Sequence, residues 1–425
     1  MAVTAVEIED TFIPVFFLLH SVSYQTSTHK RWDRPVPKHI LYCADGTWNG
    51  PGDPKNTADI DATVNLEAAL EKTTNVVKLF RNLAGAVTSE TQPFPNEWEK
   101  ALPGASGAPL QVAKYMHGVG DSSNLVMKAL GGALGVGVIA RVVRGYTYIS
   151  RQYRYGDSVH IVGFSRGAYT ARALAGMIGA VGLLNPAKYD VTDKERAYDL
   201  GYAAWLKARG VVFGGGGSLA RFFTGLIHQA EMLASRLVLS RDAFIPKVPI
   251  QSVAVWDTVG SMGIPLYIQD KRRDAFSFVD AKLNPLVSHG FHAMALDERR
   301  RDFPITRWVA REGVEEVWFA GCHSDVGGGY PPNECGLSDL ALEWMMGKLS
   351  TLGVRLSSPL TYAPELTHYS QDFHKPWETP PFNIEPQPRV PLKDDAYSKL
   401  LVARWSACTP YQACWPNGFE GCRLV

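Results

Sequence analysis

The run Gly163-Phe164-Ser165-Arg166-Gly167 places a serine between two glycines in the form GxSxG. It follows the β-branched stretch Ser158 to Val162 and opens the apolar, helix-forming stretch Ala168 to Ile178. A strand, a tight turn and a helix are the setting of a nucleophile elbow, which exposes the serine hydroxyl at the turn. Gly163 and Gly167 let such a turn close without Cβ clashes. The helix behind it aims positive dipole and unpaired N–H groups at a developing oxyanion. The expected chemistry is attack by Ser165 on a carbonyl.

A serine hydroxyl needs a base to act as a nucleophile. Among the 11 histidines, His323 has the best setting, because it opens His323-Ser-Asp-Val-Gly-Gly-Gly329 just after the strand-like run Glu316 to Ala320. A loop with three glycines is expected to present the imidazole over the sheet edge. His292 is the rival, in a stretch read as helix that also holds His289, and His160 reads as a core residue inside the nucleophile strand. A carboxylate must then orient the imidazole and stabilise its cation. Asp257 ends the run Pro249 to Trp256 and is favoured, with Asp325 as the alternative. Asp325 lies two residues from His323 and is better suited to bracing the glycine loop. Two backbone donors are expected around the oxyanion. One is the N–H of Arg166. The other comes from Gly46 or Thr47, in the turn Asp45-Gly-Thr-Trp-Asn49 that follows a buried strand. The Asp45 side chain could instead brace the elbow or the glycine loop.

The elements that must hold these residues read as short buried strands at His39–Ala44, Asn75–Phe80, Ser158–Val162, Pro249–Trp256 and Glu316–Ala320. They lack clean alternation, as strands covered on both faces do. Helical patterns at Asp61–Lys72, Val138–Arg151 and Ala168–Ile178 fall between them. Alternating strands and helices imply an α/β fold, with a mostly parallel central sheet flanked by helices. The order Ser165, Asp257, His323 is that of α/β-hydrolases. Residues 180–248 read as a helical insertion after the nucleophile helix, and the apolar period from Leu219 to Leu237 within it would suit a packed helix or a cap over the site. Residues 1–37 read as an N-terminal extension, 38–357 as the catalytic domain and 358–425 as a Pro-rich C-terminal segment packed on it.

Composition narrows the alternatives. At about 150 residues per domain the length admits two or three domains, and 46% hydrophobic with 20% charged residues describes a globular chain. Lys plus Arg is 43 and Asp plus Glu is 42, so no polyanion-binding excess exists and no nucleic-acid partner is expected. Six cysteines do not make a disulfide scaffold. Cys43 and Cys322 read as core residues. Cys408, Cys414 and Cys422 cluster near the end without paired CxxC spacing, so no metal is expected. Gly135-Val-Gly-Val-Ile-Ala140 imitates a dinucleotide fingerprint but follows no strand. The run Glu298-Arg-Arg-Arg-Asp302 reads as a solvated charged face. No apolar run is long enough to span a membrane. The apolar run Phe12–Leu19 is short, is interrupted by Pro14 and follows acidic residues, unlike a secretory signal. The chain is therefore expected to be cytoplasmic as synthesised.

Taken in order, several motifs resemble a known family. They are Asp45-Gly-Thr-Trp-Asn49, Asn75-Val-Val-Lys-Leu79, Gly118-Val-Gly120, Gly163 to Gly176, Trp256-Asp-Thr-Val-Gly260, His292 to Glu298 and His323 to Tyr330. They resemble the α/β-hydrolase domain family that includes the catalytic domain of type VI secretion phospholipase effectors. The resemblance implies a Ser165-Asp257-His323 hydrolase acting on fatty-acyl esters of phospholipids through an acyl-enzyme, without a cofactor. It also implies a lipid or acyl-ester substrate, peripheral membrane contact, an immunity or secretion-adaptor partner and export by the type VI route. An esterase or thioesterase acting on a soluble acyl substrate is the alternative, followed by a non-catalytic binding or scaffold module on the same fold.

Overall fold

The expected strand His39–Ala44 forms β1 and runs through the middle of a mostly parallel sheet. Its residues alternate between two apolar layers, Ile40 and Tyr42 entering one and Leu41 and Cys43 the other. This is the two-residue period of a strand covered on both faces, and it explains the near-continuous apolar run. The computed structural model describes residues 36–46, 73–88, 97–117, 133–213, 239–259, 282–301, 303–364, 369–370, 372–380, 386–408, 411, 418–419 and 421–425.

After β1 come α1 (Asn75–Asn82), β2 (Ala86–Thr88), β3 (Glu97–Pro103) and β4 (Pro109–Met116). They are followed by α2 (Ala133–Gln152), β5 (Ser158–Phe164), α3 (Arg166–Val181), β6 (Leu183–Leu184) and α4 (Lys194–Phe213). Next are β7 (Phe244–Ile245), β8 (Ile250–Trp256), β9 (Val287–Ala295), β10 (Val314–Phe319), α5 (His323–Gly327) and α6 (Gly336–Thr351). The last elements are β11 (Ala396–Tyr397), α7 (Lys399–Ala407) and β12 (Arg423–Leu424).

Among the described residues the main sheet has the order β12-β11-β10-β9-β8-β5-β1-β4-β3-β2. Neighbours from β4 across to β12 are parallel, and at the other edge the pairs β4–β3 and β3–β2 are antiparallel, so that only β3 runs against the rest. The helices α2, α3 and α4 pack on one face, and α1 and α6 on the other. Residues 358–425 add two short strands to the sheet through β11 and β12. The C-terminal ends of β1, β5, β8 and β10 therefore lie on one edge, where open α/β sheets place their sites.

The structure corrects four expectations. Asn75–Phe80 is helix α1 rather than a strand, because the Thr74 side chain caps it by accepting the Val77 N–H. Asn75 is also pulled toward α5 and α6, donating its side-chain amide to the carbonyls of Val326 and Ser338. These ties outweigh the β-branched pair Val76-Val77. His289 and His292 stand on strand β9 rather than a helix, since that run fills the slot between β8 and β10. The glycine-rich stretch at His323 is helical over α5 before its glycines turn the chain. Glu298 is buried rather than solvated. Strands β3 and β4, with their Glu, Lys and Pro content, carry no strand signal of the expected kind. The expected helix Asp61–Lys72, residues 214–238 of the insertion, and Phe12–Leu19 lie outside the described residues. No helix among the described residues is long and apolar enough to cross a membrane.

Candidate active site

Ser165 joins β5 to α3 with φ 57 and ψ −121, a conformation that L-residues rarely hold. Such strain persists only where the surroundings over-determine it. Here a Cβ on Gly163 would lie 2.3 Å from the Gly167 carbonyl oxygen, and one on Gly167 would lie 2.0 Å from that of Ala44. Both flanking glycines are therefore required by close backbone approach. The Ser165 N–H donates to the Trp256 carbonyl at 3.1 Å, which ties the turn to the end of β8.

His323 opens α5 next to the turn. Its Nε2 lies 2.8 Å from Ser165 Oγ, and its Nδ1 lies 2.6 Å from Asp257 Oδ2. The carboxylate can only accept, so Nδ1–H donates to Asp257, leaving Nε2 to accept from the serine hydroxyl. The ring is wedged between Phe164 at 4.7 Å and Phe303 at 5.1 Å. A Cβ on Gly327 would meet the Phe164 ring at 1.9 Å, so this helix can approach only with glycine there. The His323 N–H donates to Glu298 Oε2, and Glu298 is gripped in turn by the Arg300 guanidinium at 2.8 and 2.9 Å.

Asp257 directly follows β8 with φ 36, a second strained non-glycine residue. Its fully buried carboxylate accepts from the Ala295 N–H at 2.9 Å and from both terminal nitrogens of Arg389 at 2.6 and 3.0 Å. Burial alone would raise its pKa. The Arg389 charge and the hydrogen bond from His323 outweigh that and hold it well below the usual carboxylate range. Burial lowers the His323 pKa, and the bond to Asp257 only partly offsets it. The downward shift favours a neutral imidazole at His323.

The rivals sit elsewhere. His292 Nδ1 meets Glu316 at 2.9 Å and its Nε2 accepts the Thr258 N–H at 3.0 Å, so neither nitrogen is turned to Ser165. His160 is a satisfied core histidine between His39 and Ser252. Asp325 accepts the Cys322 N–H and meets His374 Nδ1 at 2.7 Å, bracing the start of α5. Asp45 braces a different junction. Its carboxylate accepts from Tyr115, Thr74 and the Gly46 N–H, and burial nevertheless raises its pKa to about 6.

The Gly46 backbone stands beside Ser165, since a Cβ there would lie 3.3 Å from Ser165 Cβ. Its N–H, expected as a free oxyanion donor, is instead engaged by Asp45 at 2.6 Å. Thr47 lies outside the described residues. Arg166 begins α3, and a first-turn N–H has no acceptor within its own helix.

Sequence reasoning missed Arg389, Glu298 and His374. Arg389 meets Asp257 across 132 positions, and no local pattern announces such a pair. Glu298 was read as part of a charge run and as the end of a family motif, with no role of its own. Cys43, Cys322 and Cys335 are buried thiols, Cys408 and Cys422 are part-buried, and Cys414 lies outside the described residues. Among the described residues no group of three His, Cys, Asp or Glu side chains could hold a metal ion.

Residues 38–348, more than half of the chain, match the model of the type VI secretion phospholipase effector Tle1-like catalytic domain. The chain belongs to that family. All three residues of the hydrogen-bonded line fall inside the family's span, whereas Arg389 and His374 lie beyond it. The chain is also 28% identical, over 162 residues, to an uncharacterized protein of Saccharomyces cerevisiae. That stretch is 38% of this chain and 20% of the yeast protein. Among solved structures it is similar to an uncharacterized protein from Pseudomonas aeruginosa, at 17% identity and a TM-score of 0.37, covering 76% of this chain and 46% of that one. It is likewise similar to the Tle1 effector bound to the VgrG spike of the type 6 secretion system. There the identity is 17% and the TM-score 0.35, over 75% of this chain and 57% of that one. The chain thus spans about half the length of these solved chains and a fifth of the yeast protein.

Proposed function

We propose that this chain is a serine hydrolase of α/β-hydrolase-like architecture that cleaves fatty-acyl esters of phospholipids through an acyl-enzyme. The observation that carries the reading is the unbroken line Asp257–His323–Ser165, with contacts of 2.6 and 2.8 Å. Membership of a phospholipase effector family supplies the substrate class. Ser165 attacks the ester carbonyl while His323 Nε2 takes its proton. Asp257 holds the ring and stabilises the imidazolium. The Arg166 N–H at the start of α3 receives the oxyanion. His323 then returns the proton to the departing alcohol, and water repeats the sequence to release the fatty acid.

On this reading residues 38–357 form the catalytic domain, 180–248 are its insertion and 358–425 pack against it. The substrate is a lipid met at a membrane surface. Export by the type VI route, with a secretion adaptor and an immunity protein, fits the family.

The test is fatty-acid release from vesicles of phosphatidylethanolamine and phosphatidylglycerol by wild type and Ser165→Ala. Loss of a triad serine is expected to cost on the order of 10⁶ in turnover. Equal release by the variant would sink the mechanism. Strong preference for short soluble esters would replace the phospholipase reading with an esterase.

A further inference from the structure

Beyond the family's span, the stretch Pro386 to Leu392 dips once into the interior. Between Pro386 and Leu392 only Arg389 is buried, at 9% exposure, while the following Val390 stands 82% exposed and Leu392 64%. Apolar burial therefore does not seat this stretch. The guanidinium seats it, beside the Gln387 N–H, which donates to the Arg299 carbonyl at 2.7 Å. One terminal nitrogen reaches Asp257 Oδ1 at 2.6 Å and the Ala295 carbonyl at 2.7 Å; the other reaches Asp257 Oδ2 at 3.0 Å and the Phe303 carbonyl at 2.9 Å. A planar fork that meets both oxygens of one carboxylate fixes its plane as well as its charge, which a lysine cannot do. The anchoring carbonyls come from the end of β9 and from the residue whose ring packs on His323.

We propose that Arg389 is a positioning residue for the hydrolase reaction, orienting the Asp257 carboxylate toward His323 and balancing its charge. The inference rests on the triad reading above and deepens it. The working geometry then depends on a residue C-terminal to the stretch that matches the family.

The charge balance gives this role a signature. The groups facing His323 are Asp257 from the end of β8, Glu298 and Arg300 from the stretch after β9, and Arg389 behind Asp257. Its own helix carries Asp325, whose carboxylate is occupied by the Cys322 N–H and His374. With His323 neutral, Asp257 offsets Arg389 and Glu298 offsets Arg300. Catalysis adds one imidazolium and one oxyanion, and the set stays balanced. Removing the Arg389 charge leaves an extra negative charge beside His323. The resting imidazole would then hold a proton up to higher pH, and the acid limb of the rate profile would move upward.

The experiment compares full-length wild type, R389M, R389K and S165A on a short p-nitrophenyl ester across pH, with circular dichroism to verify folding. In R389M, kcat should fall about 10²-fold through misplacement of the carboxylate, with KM little changed. Its acid limb should move up by roughly one pH unit. R389K keeps the charge and loses the fork, so it should retain the wild-type acid limb while losing part of kcat. It decides the matter if R389M does not fold. Wild-type kcat and an unmoved acid limb in R389M, or wild-type kcat in a folded R389K, beside an inactive S165A, would overturn this proposal alone. Full activity in S165A would overturn the triad reading and this proposal with it.

Discussion

His323 meets Asp257 at 2.6 Å and His374 meets Asp325 at 2.7 Å, and one five-residue helix carries a member of each pair. The chemical groups and distances are nearly the same, yet the two histidines shift in opposite directions. His323 is wedged between Phe164 and Phe303 inside the sheet edge, and burial pulls its pKa down more than Asp257 raises it. His374 lies near the surface, stacked on Tyr330 at 3.5 Å, with Glu334 on its other nitrogen. Its partial burial also lowers the pKa, but the hydrogen bonds it donates to Asp325 and Glu334, and their charges, prevail, so the net shift is upward. Deeper burial of the inner histidine and a second carboxylate on the outer one separate the two. The inner pair keeps a neutral imidazole with a lone pair aimed at Ser165. The outer pair favours a charged imidazole that ties the C-terminal segment to α5.

Breaking the inner pair should cost the most. Asp257→Asn removes the acceptor that sets the imidazole tautomer, and kcat should fall by about 10⁴. Steady-state hydrolysis checks this, and a loss below tenfold would mean that Asp257 does not orient His323. Breaking the outer pair with Asp325→Ala should act on stability instead. Asp325 accepts the Cys322 N–H at the start of α5, and losing such a cap costs about 1 kcal/mol. Urea denaturation reads that change. A loss of activity like that of Asp257→Asn, without loss of stability, would place Asp325 in the reaction.

The pH dependence sharpens the comparison. His374 has a raised folded pKa, so its contribution to stability is fully present below the ordinary histidine value. That contribution fades as pH rises through the raised value. Melting curves of His374→Ala against wild type should differ most at low pH and converge at high pH. Activity runs the other way. With His323 lowered, the acid limb of kcat/KM should lie below the ordinary histidine value. The smallest effect expected is that of His374→Ala on kcat at neutral pH, near wild type.

How far the sequence carried each pair follows the same division. Ser165 was legible because strand, turn and helix are contiguous, and the two close glycine approaches leave their mark as GxSxG. Asp257 and His323 were legible because each ends or follows a buried apolar run. The family match over 38–348 bears out the resemblance. Asp325 was legible as a brace of the glycine loop, but its partner His374 and Arg389 were not, because neither ends a buried apolar run and neither stretch has a period. Asn75–Phe80 was misread for a related reason. Its β-branched residues favour a strand locally, and the Thr74 cap and the contacts of Asn75 with α5 and α6 decide otherwise. Gly46 shows the same limit at shorter range. The turn was found, but the capture of its N–H by Asp45 depends on Tyr115 and Thr74 fixing that carboxylate.

The central claim is that the inner pair activates Ser165 and no other residue. Intact-mass and peptide-mapping mass spectrometry of the full chain after exposure to a fluorophosphonate tests it most directly. The account predicts one covalent adduct, mapped to Ser165, absent in Ser165→Ala and formed far more slowly in His323→Ala. An adduct on another residue, or labelling of Ser165 that is indifferent to His323, would contradict it.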